Sequence, residues 1–202
     1  SHSDYLLPTR PRQQAVKLQE ELLGTGEGYE SSSSSNRPYS PEISFDENMN
    51  LFFGGTHVAL EHHPGSNLAG IWAILPEEKV VFVGDSVIVD QPPFLAYCDP
   101  AAWAADLKIL ASRTYKGYQI VSSRAGVVTQ DQVRVMGKLM TFIQNSIASL
   151  REKGSDLDTY LALIPRILKR IEYAPAEGEL FYNRLRWGLT TFFELNQASG
   201  AN

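Results

Sequence analysis

Residues 69–89 read AGIWAIL, PEEK, VVFVGDSVIV: two apolar runs joined by a short charged turn, with Gly84-Asp85 set inside the second run. Apolar runs of this length, bounded by Pro and by charge, suit the two arms of an antiparallel hairpin. The second arm is apolar at nearly every position, the pattern of a strand covered on both faces. A carboxylate where such a strand ends is costly unless something compensates its charge. The chain must therefore build a layered sheet, and Asp85 must have a partner.

The segments around the hairpin supply the other layers. PRQQAVKLQEELLG opens with Pro at a first-turn position and ends at Gly24, with Ala15, Val16, Leu18, Leu22 and Leu23 on its apolar face; this is a helix pattern. Residues 24–41, rich in Gly, Ser, Asn and Pro, read as a long loop. Short strands are expected in EISF, NLFF and HVALEHH, with turn residues at Asn48 and Gly54-Gly55. DPAAWAADLKILAS then starts a helix with Asp99 as its cap and Pro100 in its first turn. YQIVSS is one more strand, and Thr129 with Gln132 forms a capping-box pair for a helix running to about Lys153. Residues 156–172 place Leu157, Leu161, Ile164 and Leu168 on one stripe interrupted by Pro165, and a last helix lies near 177–195. The order is that of a sheet with helices packed against it, an α/β fold.

Composition excludes several classes. The 202 residues are 43% hydrophobic and 20% charged, with a formal net charge of -5. That balance suits one sizeable core and gives no basic face for nucleic acid. No apolar run approaches the roughly 20 residues that span a bilayer. One cysteine, Cys98, allows no internal disulfide and no thiolate zinc cluster, and fits a reducing, cytoplasmic setting. Cys98 has no evident basic partner and is read as a buried free thiol.

Taken together, HHPGSNLAGIWAILPEEKVVFVGDSV resembles the second half of the metallo-β-lactamase superfamily. In that family a Pro-Gly-His-Thr turn precedes a hairpin whose second arm ends in Gly-Asp, and a helix, a strand and a long helix follow. Pro64-Gly65, the hairpin, Gly84-Asp85 and YQIV match in order and spacing. SHSDY at the start of the chain can be laid on the family pattern His-x-His-x-Asp-His, with His2 as the second histidine, Asp4 as the aspartate and Tyr5 replacing the last histidine. The alternative is that Ser1-His2 is the remnant of an expression tag. The resemblance implies an αβ/βα sandwich whose N-terminal strands precede this chain, with residues 1–153 forming a partial domain and 154–202 a C-terminal helical extension. It also implies that a preceding segment or a second copy of the chain covers the sheet. In the family the aspartate at position 85 bridges two metal ions, which answers the need for a partner.

The ligand set that the resemblance implies is incomplete. Ser66 stands where the Pro-Gly-His histidine is expected, and Arg124, in the turn SSRAG, stands nearest the last ligand histidine. His2, Asp4 and Asp85 remain as metal ligands, with Asp4 and Asp85 the catalytic carboxylates. His63 is a further candidate if a shifted turn brings it in, the alternative being a hydrogen-bonded strand residue; His57 and His62 are read as strand residues of that kind. One His and two carboxylates suit at most one weakly held divalent ion, Zn, Mn or Fe. The function expected is that of a metal-dependent hydrolase with a depleted site, acting on an unknown small molecule. The alternative is a non-catalytic binding or assembly module that retains the fold. In either case Arg124 is expected to replace part of the missing positive charge beside Asp85 or Asp4.

Overall fold

A computed structural model describes residues 43–199. The N-terminal helix and Ser-rich loop expected from the sequence, and His2, Asp4 and Tyr5, lie outside the described residues. Within residues 43–199 the chain builds a single six-stranded sheet in the order β1-β2-β3-β4-β5-β6. The strands are β1 (Asn48–Phe53), β2 (Thr56–His62), β3 (Ile71–Leu75), β4 (Val80–Gly84), β5 (Gln119–Ser122) and β6 (Gly126–Val128). All neighbours are antiparallel except β4 and β5. That parallel pair needs a long crossover, and α1 (Pro100–Leu110) supplies it. Four further helices follow: α2 (Gln130–Glu152), α3 (Leu157–Leu161), α4 (Ile164–Leu168) and α5 (Gly178–Ser199). None of these is long and apolar enough to cross a membrane.

Local chemistry explains the boundaries. Gly54 and Gly55, with φ of 55° and 93°, form the two-residue turn between β1 and β2, a turn that needs positive φ at both central positions. Asp99 caps α1 by accepting the Ala101 and Ala102 N–H groups. Thr129 and Gln132 close the expected capping box at the start of α2.

Alternation along the strands gives the sheet two unlike faces. Trp72, Ile74, Val81, Val83 and Ile120 point to one face and are buried against Trp103, Leu107, Leu110, Met136, Met140 and Ile143 of α1 and α2. The same core continues into the C-terminal helices through Ile164, Ile167, Leu185, Leu189 and Phe192. The opposite face carries Ile71, Ala73, Phe82, Val121 and Val127, of which Phe82 is 45% and Val127 61% exposed.

Four expectations need correction. The second hairpin arm is a strand only over Val80–Gly84, and the described residues cover it on one face, not two. Gly84, at φ 56°, breaks the register with β5 and turns the chain out of the sheet, so Val87 and Ile88 are buried as irregular chain. Their apolarity signals burial and carries no information about strand geometry. Residues 43–45 of EISF form no strand. SSRAG is a hairpin turn, followed by the short strand β6 that the sequence did not suggest. The stripe over 156–172 is two helices, because Pro165 lacks an N–H and sits instead in the first turn of α4.

Candidate functional site

The site is assembled where β4 and β5 end. Gly84 turns the chain so that Asp85 faces the β5–β6 turn, and Ser123 N–H donates to Gly84 O at 3.0 Å. Ser122 fixes that turn: its hydroxyl donates to Val87 O at 2.6 Å and accepts the Arg124 and Ala125 N–H groups at 3.3 and 3.4 Å. Locked in this way, the turn delivers both partners of Asp85. Ser123 Oγ donates to Oδ1, and Arg124 Nη2 lies 3.1 Å from Oδ2. The partner the sequence demanded for Asp85 is a guanidinium and a hydroxyl. The Asp85 side chain is 38% exposed, so this pair is solvent-screened.

A second arginine stands near. Arg184 on α5 is half-buried and donates from Nη1 to Gln91 Oε1 at 2.7 Å. Its pKa is lowered, first by burial and then by the charge of Arg124, with Asp85 opposing. Sequence reasoning missed Ser123, Gln91 and Arg184. Ser123 was legible as a neighbour of Arg124 in one turn, but nothing in the helical spacing of Arg184 marked it.

His63 is placed differently. Its Nδ1 lies 2.8 Å from Asp106 Oδ1, its Nε2 lies 3.4 Å from Glu61 Oε2, and its ring stacks on Trp72 with centroids 3.6 Å apart. Asp106 Oδ2 accepts the Gly65 N–H at 3.1 Å. The indole N–H groups of Trp72 and Trp103 both end on Ser86, at its hydroxyl and its carbonyl. This buried network ties the end of β2 to α1. His63 is thus brought together with Asp106 and Glu61, and its ring nitrogens do not face Asp85. His57 bonds Asn50 and His62 bonds the Leu68 carbonyl, as expected of strand residues. Cys98 is buried, and burial with the neighbouring Asp99 pushes its thiol up to about 12. It is no nucleophile at neutral pH.

The described residues do not make a donor set for a metal. Among them, no three His, Cys, Asp or Glu side chains are placed to hold one ion, and Asp106 and Glu61 sit at different ring nitrogens of His63. Asp85 faces a cation it already has, and Ser66 offers a neutral hydroxyl, a poor zinc ligand beside imidazole.

Comparison with solved structures bears on this geometry. A metallo-beta-lactamase family protein from Thermus thermophilus superposes over 99% of the chain with a TM-score of 0.52 and 18% identity. The stereoselective inverting sec-alkylsulfatase Pisa1 from Pseudomonas sp. superposes over 77% with a TM-score of 0.54 and 14% identity. The fold is that of the metallo-β-lactamases. At these identities the likeness concerns the fold alone, and the chain spans 64% and 26% of the two structures. No family model and no curated protein sequence matches the chain.

Proposed function

We propose that this chain is a metallo-β-lactamase-fold protein of metal-dependent hydrolase type whose metal site is depleted to at most one weakly held divalent ion. The observation that supports this reading is the Arg124 guanidinium 3.1 Å from Asp85 Oδ2, where the family resemblance would put metal charge. Zn, Mn or Fe would be held by His2, Asp4 and Asp85, and would supply an acidified water for hydrolysis of an ester, thioester, amide or phosphoester. To join them, His63 would have to leave Asp106, a buried carboxylate whose other oxygen is already committed to Gly65. Any such ion competes with Arg124 for Asp85, which keeps its affinity low.

A second reading, a binding module without catalysis, draws support from the same residue. Both oxygens of Asp85 already have partners, Ser123 and Arg124. Metal content after purification without chelators separates the two. A stoichiometric ion favours the hydrolase; a folded, metal-free protein favours the module. The variant Ser66→His tests the ligand position directly. Structural zinc binding is worth about 10–16 kcal/mol over four ligands, so one restored imidazole contributes roughly a few. Ser66→His is expected to raise zinc or manganese affinity at least tenfold in a calorimetric titration. Unchanged affinity would mean that Ser66 does not occupy the ligand position.

A further inference from the structure

Away from the Asp85 turn, one tyrosine hydroxyl is left without a role. Tyr160, on α3, is 4% exposed, and among the described residues its hydroxyl has no hydrogen-bond partner. A phenol so deeply placed ordinarily bonds its O–H, because an unpaired one is costly. Packing does not need the oxygen. The ring meets Phe193 edge-on with centroids 5.1 Å apart, a contact that phenylalanine would make as well. Nor is the oxygen sealed in: among the described residues, Gln130 Oε1 is the one fully buried side-chain polar atom without a partner.

Tyr160 lines a cavity of about 220 Å³ between the end of α2, α3 and α5. Arg151, in the last turn of α2, lines it too, with Leu150 and Phe193 as its apolar part. Burial raises the Tyr160 pKa, and the charge of Arg151 opposes that rise. The guanidinium is fixed from α5. Its Nη2 donates to Asn196 Oδ1, the Asn196 amide donates to Phe192 O at 2.7 Å, and the group lies 5.9 Å from the Phe192 ring. No carboxylate lines the cavity, and among the described residues none pairs with Arg151. The end of a helix carries roughly half a negative charge, which disfavours an anion. Arg151 outweighs it with a full positive charge. The carbonyls of Ser149, Leu150 and Arg151 are also already engaged, by the N–H groups of Lys153, Ser155 and Gly154.

We propose that this cavity binds the oxyanion head of a small organic acid between Arg151 and Tyr160, with its short apolar body against Leu150 and Phe193. The guanidinium and the hydroxyl both donate to oxygens, and a charged acceptor strengthens each bond. Volume sets the size of the acid, because sites for drug-sized ligands enclose about 300–1,000 Å³. The cavity shares no lining residue with the Asp85 turn, so this site does not depend on what Asp85 binds.

The test is an NMR titration of the isotope-labelled full chain, read at the Gly154 backbone amide and the Gln197 side-chain amide, both on the cavity wall. Butyrate, butyl phosphate, butylammonium and butanol share one apolar body and differ in the head. Butyrate, butyl phosphate or both are expected to shift these signals, and the tighter of the two names the head. Butylammonium and butanol are expected to bind roughly tenfold or more weakly than that acid. Tyr160→Phe, which keeps the ring, should weaken the acid roughly threefold or more. Arg151→Gln should weaken it roughly tenfold or more, with Arg151→Lys in between. Absence of shifts with both acids, or butanol binding as tightly as the tighter acid, would overturn the proposal. So would native affinity in folded Tyr160→Phe or in folded Arg151→Gln.

Discussion

At the scale of single residues, position and solvent decide what each group can do. Arg124 and Asp85 form the pair that the sequence suggested, yet the Asp85 side chain is 38% exposed and not the buried carboxylate expected at a strand end. Such a pair contributes under about 1 kcal/mol to stability. On the function proposed above, its importance lies in what it excludes from Asp85. Cys98 shows the opposite regime. Burial raises its thiol from 9.0 to about 12, and burial likewise raises Tyr115 from 10.0 to about 12. Both groups keep their protons longer in the folded chain than in the unfolded one. Their contribution to stability is intact below about pH 9 and is lost as pH rises towards 12. For Cys98 alone the slope approaches about 1.4 kcal/mol per pH unit above roughly pH 9. Urea unfolding of the native chain and of Cys98→Ala between about pH 8 and 10.5 is expected to show a shallower fall in the variant. Equal slopes would mean that the thiol is accessible to water.

At the scale of elements, the junction between the end of β2 and α1 is held by backbone contact. A Cβ on Gly65 would lie 2.4 Å from Trp103 Cα and 2.6 Å from Asp106 Oδ2. Trp103 Cα, and Trp103 N at 2.8 Å, are backbone and cannot yield without moving the start of α1. Gly65→Ala is therefore expected to cost at least about 1–3 kcal/mol, the range for overpacking a tight site, measured as a lower urea midpoint. A native-like midpoint would show that α1 shifts freely. The same junction shows how far the sequence was legible. Pro64-Gly65, the PEEK turn, the Asp99 cap and the Thr129–Gln132 capping box act over a few residues, and all appear where local chemistry put them. What failed depends on distant chain. The apolar run after Gly84 could not reveal that residues 85–89 leave the sheet, because burial by Trp103 and Leu107 looks the same from within the run. His63 likewise gave no sign that Asp106, 43 residues away, would claim its Nδ1.

At the scale of the whole molecule, the described residues put helices on one face of the six-stranded sheet, while Ile71, Phe82 and Val127 stand exposed on the other. Apolar residues at matched register, such as Ala73 opposite Phe82 and Val121 opposite Val127, make that face continuous. A continuous apolar sheet face drives association. Sedimentation velocity is expected to show concentration-dependent self-association, reduced by the pair Phe82→Lys and Val127→Lys. A monodisperse monomer at all concentrations would count against an open face. The αβ/βα sandwich expected from the family resemblance would cover it with a second sheet. The core that runs from Trp72 to Phe192 joins the sheet to α3, α4 and α5.

The Arg124 guanidinium is paired with Asp85, where the family resemblance implies metal charge. Zinc titration of Arg124→Ala against the native chain, by calorimetry at neutral pH, tests this most directly. Freed from Nη2, Asp85 should gain a ligand's capacity, and zinc affinity should rise by about tenfold while the unfolding free energy changes by under about 1 kcal/mol. Equal zinc affinity in the two proteins, both folded, would contradict the account.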